Sequence, residues 1–146
     1  MFAMTARGKI TILLVDDSKF LRLATERALA RAGYDVLTAD DGEQALRTAR
    51  EKRPHVILLD MLLPKISGLD VLKALKKDPI MAGIAVVAFT ALSNKNAERL
   101  QRDGVCAYLD KSELNLNCGH ERLLAALASI VNDLHSKSLQ HAKAGN

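Results

Sequence analysis

Along this chain, short apolar runs alternate five times with amphipathic stretches. The first run, ITILLV (10–15), is nearly continuous and rich in β-branched residues, as a strand covered on both faces must be. Ser18 can cap the helix that follows, whose positions Leu21, Ala24, Ala28, Leu29 and Ala32 fall on one face, and Gly33 stops it. The second unit is a strand at 34–39 and a helix at 43–52 carrying Ala45, Leu46 and Ala49. The third is a strand at 55–60, a loop with Pro64, and a helix at 68–77 with Leu69, Val71, Leu72 and Leu75. A strand at 84–90 and a polar helix at 94–103, ended by Gly104, make the fourth. A strand at 105–110, a loop and a long helix at 120–135 make the last.

Strands alternating with helices of this length predict an α/β fold, a parallel sheet with helices on both faces. A single domain is expected over 9–135, with short flexible termini at 1–8 and 136–146, where the apolar period is lost. In the last helix Leu123, Leu127, Ile130 and Leu134 follow a 4, 3, 4 spacing that reads as a core face; a coiled linker would be interrupted by Lys137 and Ser138.

Composition narrows the class. At 49% hydrophobic and 26% charged residues the chain has the balance of a globular protein, and with no Trp, two Tyr and three Phe its core must be aliphatic. The formal charge of +4 is spread along the chain, without the clustered Lys/Arg and reading motif of a nucleic-acid binder. No apolar run reaches the ~18 residues of a membrane span, and the N-terminus carries no secretory signal, so a cytoplasmic location is expected. Cys106 and Cys118 lack a metal-type spacing and read as one buried thiol and one loop thiol.

In a parallel α/β sheet, ligands sit outside the carboxyl ends of the strands. The first strand ends in Asp16 and Asp17, the third in Asp60, the fourth in Thr90, and the fifth runs into Lys111. Three carboxylates in one crevice repel unless a cation compensates them, and a few hard oxygen ligands suit Mg²⁺. Asp60 can then act as a nucleophile toward phosphorus, with Lys111 and Thr90 contacting phosphoryl oxygens. Each residue alone would read as a helix cap, a surface lysine or a strand-end hydroxyl; their coincidence at equivalent positions points to chemistry.

These residues carry a resemblance. LLVDDS (13–18), LLDMLLPKISGLD (58–70), VVAFTA (86–91) and YLDK (108–111) resemble the receiver domain of two-component response regulators, over about 125 residues. The resemblance implies a flavodoxin-like, doubly wound five-stranded parallel sheet of order 2-1-3-4-5. It implies that Asp60 is the phosphoacceptor, Asp17 a direct Mg²⁺ ligand, Asp16 a partner acting largely through water, and the Leu62 backbone carbonyl a third ligand. Thr90 matches the hydroxyl that moves toward the phosphoryl group, Lys111 the lysine that pairs with it, and Tyr108 the aromatic that changes rotamer. Ala91 matches the small residue that leaves the group room. Positions two after Asp60 and two after Thr90, Leu62 and Leu92, match those that tune dephosphorylation.

Two departures stand out. Ser112 follows Lys111 where the family usually has Pro; a non-proline cis bond costs roughly 3 kcal/mol, so a trans bond and a less firmly held lysine are expected. The 112–120 segment is also several residues longer than the common version, which leaves the output surface open.

The function expected is a phosphorylation-dependent switch, an enzyme only toward its own phosphorylation and dephosphorylation. The implied partners are a sensor histidine kinase or histidine phosphotransfer protein, and downstream a protein partner or an output domain on a longer chain. Direct contact with nucleic acid or membrane is not expected; a phosphorylation-dependent dimer is among the assemblies the resemblance allows. The alternatives are a degenerate receiver serving as a scaffold and an aspartate-nucleophile phosphatase. The latter carries a second Asp two after the nucleophile, where this chain has Leu62.

Overall fold

The computed structural model describes residues 9–90, 102–110 and 120–144, with side chains described for 9–89, 102–110 and 120–134. The helix expected at 94–103 lies outside the described residues except at its end, and Ala91, Leu92, Lys111, Ser112 and Cys118 lie outside them entirely. Five strands, β1 (Thr11–Val15), β2 (Asp35–Ala39), β3 (Val56–Leu59), β4 (Ala85–Thr90) and β5 (Ala107–Asp110), form one sheet in the order 2-1-3-4-5. Every neighbouring pair is parallel, with Val15 level with Ala39 and Leu59, and Leu59 level with Ala88. The architecture is the expected one.

Both sheet faces are buried, which is why the strands read as continuous apolar runs. Alternate residues Leu13, Val15, Ile57, Leu59, Val86 and Ala88 pack with α2 (Gly42–Lys52) and α3 (Gly68–Lys77) through Ala45, Ala49, Val71, Leu72 and Leu75. Their neighbours Ile12, Leu14, Val56, Leu58 and Val87 pack with α1 (Lys19–Arg31) and α4 (Glu121–Ala144) through Leu29, Leu123 and Leu127.

Each of the first three helices starts on a side-chain cap. Ser18 Oγ accepts from Leu21 N–H at 3.4 Å, Asp41 from Gln44 N–H at 2.8 Å, and Ser67 from Asp70 N–H at 3.2 Å. These contacts satisfy amide donors that the helix itself leaves open. Gly33, at φ 98°, takes the left-handed conformation in which a glycine ends α1.

The structure departs from the sequence reading in three places. The buried line of α1 is Thr25 and Leu29, with Leu21, Ala24 and Ala28 only partly covered and Ala32 exposed. Cys106, read as the buried thiol, is exposed just before β5. The third concerns α4, whose backbone stays helical to Ala144, past the end expected near 135. No Gly or Pro occurs in that stretch before Gly145, and Ala, Leu, Gln and Lys there are strong helix formers, so propensity extends the helix beyond its apolar period.

Candidate functional site

The parallel register brings the acidic residues together. Val15 and Leu59 are level, so the residues after them, Asp16 and Asp60, emerge side by side. Asp60 N–H donates to the Val15 carbonyl at 3.0 Å, and Asp16 N–H to the Ala39 carbonyl at 3.1 Å, extending the sheet to the last residue before each turn. Carboxylate oxygens of Asp16, Asp17 and Asp60 all lie within 4.8 Å of one another, with Asp16 and Asp60 buried and Asp17 exposed. At that spacing, and at an effective dielectric of about 20, each pair of ionised carboxylates repels by roughly 3 kcal/mol. Such a cluster favours a bound cation.

Two of the carboxylates are held by their own turns. Asp16 Oδ1 accepts from Ser18 N–H and Asp60 Oδ1 from Leu62 N–H, each at 2.9 Å and each two residues on. This Asx turn fixes one oxygen of each carboxylate. The Arg22 guanidinium, one turn into α1, donates to the Asp16 backbone carbonyl at 2.8 Å and ties the helix to the end of β1. Sequence reasoning missed these anchors, although an Asp followed by a loop residue two positions later is the signal for an Asx turn.

The loop after Asp60 is fastened at its far end by Gly68, whose N–H donates to the Met61 carbonyl at 3.2 Å. A Cβ on Gly68 would stand 2.4 Å from Met61 Cα, so only glycine permits this approach. Lys65, in the same loop, takes a left-handed φ of 66° and lies 3.5 Å from Asp41. The Asp41 carboxyl is held below its ordinary range chiefly by the Gln44 amide, with Lys65 adding to the effect.

Of the other residues singled out, Tyr108 is partly buried in the α2/α3 layer, level with Ala88. Burial, with Asp110 adding, pushes its phenol up. The backbone of Thr90 closes β4 level with Asp110. The Leu62 side chain is 54% exposed although it stands two residues from Asp60.

A family model described as the response regulator receiver domain matches residues 12–127. The chain belongs to this family. The receiver is 37% identical over 102 residues to the polar-differentiation response regulator DivK of Brucella anthropi, covering 69% of this chain and 83% of that protein. It is 42% identical over 76 residues, 52% of this chain, to the alkaline phosphatase synthesis transcriptional regulatory protein PhoP of Bacillus subtilis, and spans 32% of that longer protein. Among solved structures, the receiver resembles the chemotaxis protein CheY4 of Vibrio cholerae (TM-score 0.74, 29% identity, 84% of this chain and 98% of that one). It also resembles a response regulator from Desulfuromonas acetoxidans (TM-score 0.75, 29% identity, 86% and 98%). Receivers of this family are signalling switches of two-component systems rather than conventional enzymes. Among the described residues, no helix is long and apolar enough to cross a membrane.

Proposed function

We propose that this receiver switches state when Asp60 accepts a phosphoryl group from a phosphohistidine on a sensor kinase or phosphotransfer protein. The observation that carries the reading is the convergence of Asp16, Asp17 and Asp60 oxygens within 4.8 Å at the ends of β1 and β3. In the transfer, an Asp60 carboxylate oxygen bonds to phosphorus as the phosphorus–nitrogen bond breaks. The electron pair leaves with the imidazole, which takes up a proton. A carboxylate attacking through its oxygen has no proton to shed, so the step as written calls for no general base.

The oxygen-only donor set fits Mg²⁺, which would be held by Asp16, Asp17, Asp60 and the Leu62 carbonyl. When bound, it neutralises charge developing on the phosphoryl oxygens. Around it the chain supplies position. The Asx turns aim Asp16 and Asp60, and Arg22 holds the start of α1 in place. Thr90 and Lys111 are assigned to the phosphoryl oxygens, Ala91 to leaving the group room, and Tyr108 to the relay that carries the change outward.

Docking of the phosphodonor is supported by surface apolarity beside the acidic cluster. Phe20 is 67% exposed, and Leu23 and Leu62 are exposed as well. Phe20 lies in the first turn of α1, three residues after Asp17, and Leu62 follows Asp60 by two. Exposed side chains of this size next to buried carboxylates suit an apolar partner face that excludes water from the transfer.

The Ser18 and Leu62 amides test the metal reading directly, because they donate to Asp16 and Asp60. Titration with Mg²⁺ should shift both amide resonances first and saturably, and Asp17→Ala should require far more metal. Shifts spread evenly over the chain, and unchanged by Asp17→Ala, would overturn it.

A further inference from the structure

The polar contact that joins the two ends of the described chain has no part in the phosphoryl chemistry above. Thr25, midway along α1, and His120, at the start of α4, are separated by 95 residues, yet Thr25 Oγ1 and His120 Nε2 lie 3.2 Å apart. Both are buried, Thr25 at 1% and His120 at 8% exposure. They close one end of an apolar seam. One helical turn further along, Leu29 on α1 and Leu123 on α4, with Leu127 a turn beyond, share one buried cluster. The His120 carbonyl accepts from Leu124 N–H at 2.8 Å, which makes His120 the residue that starts the helix.

We propose that the Thr25–His120 contact is an acid-sensitive latch: the neutral imidazole holds the first turn of α4 against α1, and protonation of His120 releases it.

Three physical effects make the latch sensitive. A charged imidazole would lose its hydration in this seam, and a hydroxyl dipole replaces that hydration poorly. The charge would also sit at the positive end of the α4 dipole, among amide donors that repel it. And a protonated ring is a donor at both nitrogens, so of the two roles that the neutral tautomers allow the Thr25 hydroxyl, only that of acceptor toward the ring remains. Burial accordingly pushes the His120 imidazole below its ordinary range.

Among the described residues, no charge offsets this. On α1, the nearest charged positions are Arg22, whose guanidinium is on the Asp16 carbonyl, and Glu26, which follows Thr25 and so projects about a quarter turn away. On α4, Glu121 and Arg122 follow the histidine and are exposed. The sheet beneath the seam is apolar at Ile12, Leu14, Leu58 and Val87. Asp16 ends β1 with its carboxylate on Ser18 N–H, and Asp110, two residues after Tyr108, shares its face toward the α2/α3 layer, away from the seam. Burial is the cause of the shift.

The sign follows. The folded chain binds this proton less well than the unfolded chain, so the contribution is present above the ordinary imidazole value and is lost as pH falls below it. Three measurements on the whole chain test the latch, and none depends on phosphorylation. In the wild type, the His120 ring resonance should titrate below about 6.5, the ordinary imidazole value. Urea midpoints taken between about pH 7.5 and about pH 5.5, which bracket that value, should fall in the wild type and fall less in His120→Gln, whose amide stays neutral. His55, which accepts from Thr11 N–H at 3.0 Å, is present in both proteins, so the difference isolates His120. In the wild type, acid should also speed exchange of the Leu124 amide beyond the change in intrinsic rate. A His120 ring titrating at or above its ordinary value would overturn the proposal, as would an equal acid loss in the variant. Should His120→Gln not fold, the wild-type ring titration and the Leu124 exchange decide the matter.

Discussion

Gly68 and Asp60 stand so close that a Cβ on the glycine would lie 2.6 Å from the Asp60 carbonyl oxygen. The start of α3 is thereby pressed against the residue at the centre of the acidic cluster, and the Gly68 N–H to Met61 contact closes the loop between them. Gly68→Ala should force backbone apart in a packed region, which costs typically about 1–3 kcal/mol. Urea unfolding should show that loss, and phosphoryl acceptance should fall with it because Asp60 is moved. An unchanged unfolding midpoint would mean that the loop yields without cost.

The lifetime of the phosphorylated state is set by water reaching phosphorus in line. Leu62, exposed beside Asp60, and Leu92 offer that water no hydrogen bond, so a slow loss of phosphate is expected. Replacing Leu62 with Asn and Leu92 with Glu should speed the loss by roughly tenfold or more, about 1.4 kcal/mol of barrier. The decay of labelled protein measures it, and an unchanged rate would show that neither leucine guards the approach.

Much of the fold was legible because burial on both sheet faces imposes continuous apolar strands, and ITILLV and HVILLD carry that signature undiluted. Ser18 and Gly33 marked the limits of α1 because caps are local chemistry. The buried line of α1 was less legible: Thr25 counts as polar in a periodicity, and the partner of its hydroxyl, His120, comes from 95 residues further along the chain. Cys106 failed for a related reason, since a residue just outside an edge strand has only half of its surroundings set by the sheet. The acidic cluster was legible because parallel topology alone brings the ends of β1 and β3 together. The Asx turns that aim its oxygens depend on loop geometry that a one-dimensional pattern does not carry.

Transmission of the switch is expected to run from Thr90 to Tyr108. Phosphorylation adds charge and acceptor oxygens, and a hydroxyl moving toward them frees space for the aromatic ring. Beryllofluoride with Mg²⁺ should shift amide resonances around Tyr108 and in the 94–103 segment, and far less in Thr90→Ala. Shifts confined to the neighbourhood of Asp60 would remove this coupling.

The central claim is tested most directly by intact mass after incubation with acetyl phosphate and Mg²⁺. The account predicts a single acid-labile phosphoryl group on the wild type and none on Asp60→Asn. Labelling that persists undiminished in Asp60→Asn, or no labelling of a folded wild type that binds Mg²⁺, would contradict it.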